Sequence, residues 1–507
     1  MNVNPKEKKR YRKAIAFDSI ILWLSVWLIT SVWWIRRSFG GVTISRIVYH
    51  VTTTLRGVEP TLVSSLFGSY LRWIIVVPGV CTALYLIARY LLEKKVSSKK
   101  QIMAKRVFRI MSLLLCVASI VFSAVWLRFP AYLYSMLQPS AFIEEHYVDP
   151  ANTEIRFPNE KRNLIYIFLE SIENTYAGIE VGGIEPVSLI PNLTDIALDT
   201  DTVMFSNNKP GMLGGFDSVQ GTDWTAAAMV SHTSGIPLLV TLRSALFLGA
   251  DDFLPGVVSI GDVLRQEGYQ QTLLVGSDAV FGQRESLFRT HGGYKIFDVK
   301  YAFATGRITE TSGSWGFTDD ILYEFAKQEV TRLAQNAEPF NLTLLTVDTH
   351  FPDGDIYGSH ETRFELQYQN VIYNSDRQIA EFLDWASTQP WYEDTTMVIV
   401  GDHETMDPLY TATIPDNYHR TMYNAIINSQ IPASEVGASR LYLRTYTSLD
   451  LFPTTLAAMG ATIAGDRLAL GTNLFSDRPT LAEQFGLDTL DEEFSRHSAF
   501  YSRELMR

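Results

Sequence analysis

Three long apolar segments near the start of the chain constrain its architecture more than any other feature. They span Ala14–Ile35, Trp73–Leu92 and Ile110–Leu127, and basic residues flank them. Each is about long enough to cross roughly 30 Å of hydrocarbon as a helix. A single segment of this kind could be a buried core helix, but three with basic flanks predict membrane-spanning helices.

The distribution of Lys and Arg predicts the orientation of these helices. Residues 1–13 and the loop 93–109 are both rich in Lys and Arg, whereas the loop 36–72 carries its arginines over a longer stretch. Cytoplasmic loops hold the excess of basic residues. We therefore expect a multi-pass protein of a bacterial plasma membrane, with the N-terminus inside and the C-terminal part outside. The first segment lacks a small-residue cleavage site after a short core, which favours an anchor over a cleaved signal peptide.

The chain is therefore expected to consist of a transmembrane region (1–129), a proline-punctuated linker (130–160) and an extracytoplasmic catalytic domain (161–507). The transmembrane helices are predicted at about 14–35, 73–92 and 107–129.

Charge and cysteine content narrow the function of the outer part. The whole chain has a formal net charge of −12, and since residues 1–150 are basic, the remainder is strongly acidic. An acidic domain is a poor candidate for nucleic-acid binding. The only two cysteines, Cys81 and Cys116, lie in the apolar segments. The outer domain must therefore fold without disulfides, on a large core.

From Asn163 onward, buried apolar segments alternate with helical segments. Strands are predicted at Asn163–Leu169, Gln271–Val275, Leu342–Val347 and Thr396–Val400. Helices are predicted at Ile260–Glu267, Asp319–Ala334 and Tyr368–Trp385. Continuous apolar strands separated by helices predict an α/β domain whose central, mostly parallel sheet is covered on both faces.

Polar residues follow three of these strands directly. Glu170 follows the first, His350 lies just after the third, and Asp402-His403 comes after the fourth. In an α/β sheet this is the carboxyl edge, where ligands bind. Taken alone, Glu170 could equally be a helix N-cap or a turn residue. Together with a hydroxyl, two carboxylates and an imidazole can bind one divalent metal and activate that hydroxyl as a nucleophile, which points to phosphoryl or sulfuryl transfer.

The hydroxyl is supplied by a Gly-rich, hydroxyl-rich stretch, 211–238. Thr225 precedes the helix-forming sequence Ala226–Val230, so it lies near a helix N-terminus, where backbone N–H groups favour an anion. The simpler alternative is that Thr222, Asp223 or Thr225 is an N-cap. Arg284 follows the second strand and could bind a phosphate bidentately, or be an ordinary surface arginine.

Five short motifs in this order resemble one protein family, over roughly residues 140–460. They are FLES at Phe168–Ser171, WT with GIPL at Trp224–Leu238, WGFTDD at Trp315–Asp320, TVDTHFPDG at Thr346–Gly354 and GDH at Gly401–His403. The pattern resembles the lipoteichoic acid synthase and phosphoglycerol transferase branch of the alkaline phosphatase/sulfatase superfamily. It is most similar to the membrane phosphoglycerol transferases that decorate periplasmic glucans.

This resemblance implies roles for the residues singled out. Glu170, Thr225, Asp402 and His403 would bind one divalent cation, with Mn²⁺ expected and Mg²⁺ or Zn²⁺ as alternatives. Thr225 would attack the phosphorus of phosphatidylglycerol and form a phosphoglyceryl-threonine, and Arg284 and His350 would hold the glycerol-phosphate group. A hydroxyl of a cell-envelope glycan or glycopolymer would then accept the phosphoglycerol.

Other functions are less consistent with the residues. A sulfatase would need Cys or Ser followed by Pro and Arg, whereas Thr225 precedes a run of alanines. A two-metal phosphodiesterase would need a second ligand set, for which Asp348 and Glu173 are the only nearby candidates. The phosphoethanolamine transferases, which this architecture also resembles, usually carry disulfides in the outer domain. Hydrolysis, with water as the acceptor, and a non-catalytic binding protein on the same fold remain as alternatives.

Overall fold

The computed structural model describes residues 5–39, 44, 47–49, 68, 70–95, 98–240 and 252–506. The chain divides into two compact units. One, the membrane-helix unit, contains Met1–Ile44 and Pro60–Tyr134, and the other, the α/β unit, contains Ser45–Glu59 and Ser135–Arg507.

The membrane-helix unit is built on three long helices. They are α1 (Pro5–Phe39), α2 (Val77–Lys95, preceded by a π-helical turn at Arg72–Val76) and α3 (Ser98–Trp126). Each contains a stretch long and apolar enough to cross a membrane. The third helix starts before the predicted residue 107 and ends at Trp126 instead of residue 129. It ends there because Arg128 adopts a positive φ of 52°, and a separate helix begins at Phe129 with Pro130 in its first turn.

Ion pairs to the buried Asp18 join the three helices. Asp18 of α1 accepts hydrogen bonds from Arg89 of α2 at 2.8 Å and from Arg109 of α3 at 3.2 Å. A carboxylate in an apolar segment is costly unless it is paired. The one charge that interrupts the first apolar segment is therefore satisfied by the two helices packed against it.

The α/β unit alternates helices and strands. Its strands are β1 (Ile155–Arg156), β2 (Asn163–Leu169), β3 (Gln270–Val275), β4 (Lys295–Phe297), β5 (Phe340–Leu345), β6 (Thr395–Gly401), β7 (Asn424–Ile427), β8 (Thr462–Ile463), β9 (Arg467–Leu468) and β10 (Gly471–Thr472). The helices after α3 are α4 (Phe129–Leu137), α5 (Phe142–His146), α6 (Pro191–Leu198), α7 (Thr225–Ser234), α8 (Ile260–Gln266), α9 (Arg284–Thr290), α10 (Val299–Ala304), α11 (Asp319–Leu333), α12 (Gln367–Ser387), α13 (Pro408–Thr411), α14 (Ala438–Leu441), α15 (Leu451–Ala458), α16 (Leu481–Phe485) and α17 (Leu487–Ser495).

The central sheet has six strands in the order β4-β3-β5-β2-β6-β7. All neighbours are parallel except β6 and β7, which are antiparallel. The predicted mostly parallel sheet is thus confirmed. Strand β5 starts and ends two residues before the predicted Leu342–Val347. The sequence reading missed β4 and β7, which are only three and four residues long, too short for an apolar pattern to identify.

Strand β2 is buried on both faces, and its alternating side chains serve two different layers. Ile165, Ile167 and Leu169 belong to the main apolar core. On the other face, Tyr166 approaches α7, where its hydroxyl lies 2.9 Å from Nδ1 of the fully buried His232. Helix α7, which begins at Thr225, is therefore fixed against the central strand of the sheet.

His232 makes the stability of this packing dependent on pH. Burial lowers the pKa of His232 from 6.5 to about 3. Between these values the unfolded chain binds a proton that the folded chain does not, so stability falls as the pH drops below 6.5. For the full chain in detergent, the free energy of unfolding should fall between pH 7 and pH 5. We expect His232→Gln to make this fall smaller by about 2 kcal/mol.

The measurement is denaturant unfolding at both pH values, with the exposed His497→Gln as the matched control. Equal pH dependence in wild type, His232→Gln and His497→Gln would show that His232 is not the residue responsible.

Candidate active site

Four of the predicted residues come together at the carboxyl edge of the sheet. Glu170 follows β2, Asp402 and His403 follow the adjacent β6, and Thr225 is the first residue of α7. The Thr225 hydroxyl lies 3.3 Å from Oε2 of Glu170 and 3.2 Å from Nε2 of His403. His403 Nε2 is in turn 3.5 Å from Oε1 of Glu170 and 3.4 Å from Oδ2 of Asp402.

The backbone around β2 and β6 is shaped to hold these groups. Ser171 adopts a positive φ of 56°, and from there its N–H donates to Oδ1 of Asp402 at 2.7 Å while its hydroxyl donates to Glu170 at 2.8 Å. A β-carbon at Gly401 would meet the carbonyl oxygen of Ile172 at 1.7 Å, so only glycine fits there. The positive φ of Ser171 is a strained backbone conformation, which persists where the surroundings enforce it, often at functional sites. Sequence reasoning did not assign Ser171 a role, although it is the last residue of the FLES motif.

Thr225 is not used to cap its own helix. The N-cap of α7 is Trp224, and no side chain caps the helix. Thr222 uses its hydroxyl in a turn with the backbone of Val219. The Thr225 hydroxyl is therefore directed at Glu170 and His403 instead of at its own backbone, and the N-cap alternative does not describe its geometry.

The donor set fits a divalent cation. Glu170, Asp402 and His403 are buried, and each offers a ligand atom within 4.8 Å of the others. The Nδ1 atom of His403 lies 2.9 Å from the Glu404 carbonyl oxygen, which can only accept, so Nδ1 carries the proton and the Nε2 lone pair faces the site. The Oδ2 atom of Asp402 is buried with no hydrogen-bond partner among the described residues. Two carboxylates and one imidazole suit Mn²⁺, Mg²⁺ or Zn²⁺, so the donor set does not select one ion.

The pKa directions of the two carboxyl groups are consistent with a cation site. Burial and then the neighbouring charge of Glu170 raise the pKa of Asp402. Burial also opposes ionisation of Glu170, but His350 and His403, with hydrogen bonds from Ser171 and Thr225, hold its pKa below the ordinary value. Two adjacent buried carboxyl groups can both be ionised at low cost only when a positive charge lies between them.

Arg284 and His350 interact electrostatically with the same carboxylate, Glu170. Arg284 is buried, and its Nε and one Nη donate to the carbonyl oxygens of Phe281 and Asp278, both at 2.8 Å. The guanidinium is therefore held in one orientation by the turn that precedes α9. Arg284 is not the exposed arginine that the sequence left as an alternative.

His350 lies between two aromatic rings. The Trp315 ring is 4.3 Å from it and the Phe351 ring is stacked on it at 5.0 Å. Its Nδ1 lies 2.7 Å from the Phe351 carbonyl oxygen and so carries a proton, which leaves Nε2 for a ligand. Trp315 belongs to the WGFTDD motif, but its ring contact with His350 was not foreseen, because the two residues are far apart in sequence.

The two carboxylates considered for a second metal have other partners. Glu173 accepts two hydrogen bonds from Arg420, at 2.7 and 2.5 Å. Asp348 accepts hydrogen bonds from the backbone N–H of Asp319 and from the hydroxyl of Tyr357. Within the described part of the chain, the one group of carboxylate and imidazole ligands with metal-binding spacing is Glu170, Asp402 and His403.

Comparison with known proteins gives the family. A family model described as Sulfatase matches residues 162–461. The chain belongs to the sulfatase family. This agrees with the resemblance to the alkaline phosphatase/sulfatase superfamily seen in the motifs, and members of that superfamily are metal-dependent.

Curated relatives are named phosphoglycerol transferase I. The protein of that name from Salmonella choleraesuis (strain SC-B67) is 28% identical over 357 residues, which cover 68% of this chain and 44% of the relative. The one from Salmonella typhi is also 28% identical over 357 residues. The chain therefore spans less than half the length of the curated relatives it matches.

Among solved structures, the integral membrane lipooligosaccharide phosphoethanolamine transferase A (EptA) from Neisseria meningitidis is similar in fold. The TM-score is 0.50 at 13% identity, covering 88% of this chain and 84% of that one. The lipoteichoic acid synthase LtaP from Listeria monocytogenes aligns with a TM-score of 0.49 at 18% identity, covering 66% of this chain and 81% of that one. The likeness to EptA concerns the fold alone.

The metal assignment is testable without an activity assay. We expect Asp402→Asn to weaken Mn²⁺ binding by the full chain in detergent at least about tenfold, because it removes a charge from the ligand set. The control is Asp376→Asn, which alters a buried carboxylate that accepts hydrogen bonds from Asn192 and Leu193. Calorimetric titration of metal-free protein measures both, and unchanged Mn²⁺ affinity in Asp402→Asn would contradict the assignment.

Proposed function

We propose that this protein is a membrane-anchored, metal-dependent transferase that moves a phosphoglycerol group from phosphatidylglycerol to a glycan or glycopolymer of the cell envelope. The observation that carries the proposal is the Thr225 hydroxyl, which does not cap its helix and lies between Glu170 and His403. The relatives named phosphoglycerol transferase I support the choice of the transferred group.

In this proposal, residues 1–129 anchor the chain in a bacterial plasma membrane. Residues 130–160 link this anchor to residues 161–507, which form the catalytic domain outside the cytoplasm. Three helices long and apolar enough to cross a membrane support the anchor. The concentration of Lys and Arg in residues 1–13 and 93–109 supports the orientation. A lipid donor and a membrane anchor suit each other, since the donor lipid stays in the membrane until its headgroup is transferred.

Glu170, Thr225, Asp402 and His403 are the proposed ligands of one divalent cation, with Mn²⁺ as the expected ion. When bound, the cation supplies positive charge that lowers the pKa of the Thr225 hydroxyl and stabilises charge that develops on the phosphate. Side chains of the protein carry out the bond-forming and proton-transfer steps.

The first step forms a bond between Oγ1 of Thr225 and the phosphorus and breaks the bond to diacylglycerol. Diacylglycerol leaves as an alcohol, so it takes up one proton, and Thr225 loses one. In the second step an acceptor hydroxyl attacks the phosphoglyceryl-threonine, and Thr225 regains its proton. Nε2 of His350 is suited to exchange protons with the departing or arriving oxygen, because Nδ1 is held by the Phe351 carbonyl.

Arg284 is the proposed phosphate clamp. Burial lowers its pKa to about 10, so it keeps its charge at neutral pH. Its guanidinium is fixed by two backbone carbonyl oxygens before any ligand arrives. A pre-oriented cation of this kind stabilises the transferred phosphate without a reorganisation cost.

Hydrolysis is the second candidate, because water can replace the acceptor hydroxyl at the same site. The test is incubation of the full chain with phosphatidylglycerol vesicles labelled in the headgroup glycerol, with and without a glucan acceptor. Label on the saccharide supports transfer, whereas label released only as glycerol phosphate identifies a hydrolase. Intact donor under both conditions would contradict both activities.

We expect Thr225→Ala to abolish diacylglycerol release, because no other hydroxyl occupies its position, while the protein remains folded. Thr222→Ala is the matched control, since the Thr222 hydroxyl is engaged with Val219. Diacylglycerol release and near-ultraviolet circular dichroism are measured on both. Near-normal release by Thr225→Ala, or loss only in Thr222→Ala, would disprove the assignment of the nucleophile.

A further inference from the structure

A tyrosine far from the motifs in sequence packs against two residues that adjoin the site. Tyr49 is ten residues beyond the C-terminal end of α1 in sequence, yet it belongs to the α/β unit and is fully buried there. Its hydroxyl donates to the carbonyl oxygen of Gly282 at 2.7 Å. Its ring packs against Trp224, with the ring centres 5.9 Å apart.

Both contacts of Tyr49 are next to proposed functional residues. Trp224 directly precedes Thr225, and Gly282 is two residues before Arg284. The turn and the helix also meet each other, because a β-carbon at Gly282 would lie 3.6 Å from that of Ala226. Tyr49 therefore bridges the start of the nucleophile helix and the turn that carries the phosphate clamp.

The turn before Arg284 needs such support. Gly282 and Gln283 both adopt left-handed backbone conformations, with φ of 64° and 60°. A non-glycine residue in this region is strained and is retained only where the surroundings impose it. The side chain of Arg284 donates a hydrogen bond to the carbonyl oxygen of Phe281, and the hydroxyl of Tyr49 donates one to the next carbonyl oxygen, that of Gly282. Two successive carbonyl groups of the turn are therefore hydrogen-bonded by two different side chains.

The chemistry of Tyr49 suits a structural donor. Burial raises its pKa, with the charge of Arg284 acting in the opposite direction, so the phenol keeps its proton at neutral pH. A protonated phenol in this position can donate continuously to the carbonyl oxygen of Gly282.

We propose that Tyr49, contributed by the segment between the first two membrane helices, is a positioning residue that orients Arg284 for the donor phosphate. The effect of Tyr49 on donor binding rests on the proposed function, whereas its effect on the structure of the turn before Arg284 does not. The catalytic site would then be incomplete in any fragment that begins after the membrane helices.

The experiment uses the full chain in detergent and the variant Tyr49→Phe, which removes only the hydroxyl. We expect the KM for phosphatidylglycerol to rise about fivefold with kcat changed less than about twofold, because one hydrogen bond that orients a binding group is lost. In an Arg284→Ala background the same substitution should change KM less than about twofold, since a residue that acts through Arg284 has nothing left to orient. Equal effects in both backgrounds would overturn the proposal.

Hydrogen exchange of the peptide 278–290 gives a readout that does not depend on the donor. Tyr49→Phe should speed exchange of the Gln283 and Glu285 amides, which are bonded to Val280 and Ala279, by about fivefold. The control Tyr446→Phe loses an equivalent buried hydrogen bond to the Phe205 carbonyl oxygen and should leave the exchange of this peptide unchanged.

Faster exchange in Tyr49→Phe without transfer by the wild type would contradict the proposed function and retain the role of Tyr49. Transfer by the wild type with no change in exchange or KM in Tyr49→Phe would overturn the role of Tyr49.

Discussion

The parallel pairing of β2 with β6 is the constraint on which the site depends. Leu169 lies opposite Gly401, so the next residues on each strand, Glu170 and Asp402, leave the sheet side by side. The backbone N–H of Asp402 still bonds to the carbonyl of Leu169 at 3.2 Å, which fixes the spacing one residue beyond the strand. A slip of one residue in this register would turn the carboxylates to opposite faces and abolish the cluster.

The close approach of these carboxylates is unfavourable in the bare protein. It is partly offset by the backbone N–H of Ser171 on Asp402 and by the hydroxyl of Ser171 on Glu170. The Oδ2 atom of Asp402 accepts no hydrogen bond from the described residues and lies 3.4 Å from Nε2 of His403, so a cation between these two atoms would complete the balance. Folding thus supplies the energy that holds the groups together, and in the proposed function this arrangement binds a metal beside the Thr225 hydroxyl.

Much of this arrangement could be predicted from the sequence, because parallel strands place the residues that follow them at one edge. Glu170 and Asp402-His403 follow long apolar strands, and this local signal was enough to bring them together. The function proposed for Thr225 depended on the order of the motifs, since a threonine at a helix start is more often a cap. The contacts of Trp315 and Tyr49 could not be predicted, because each depends on tertiary packing between segments distant in the chain and has no periodic pattern to mark it.

The central claim is that Thr225 becomes covalently phosphoglycerylated. The most direct measurement is mass spectrometry of the full chain after incubation with phosphatidylglycerol and Mn²⁺ in the absence of a saccharide acceptor, followed by peptide mapping. The account predicts a gain of one phosphoglycerol group on the peptide that contains Thr225, and no gain in Thr225→Ala. An adduct on another residue, or diacylglycerol release from metal-loaded protein with no adduct even on rapid quenching, would contradict it.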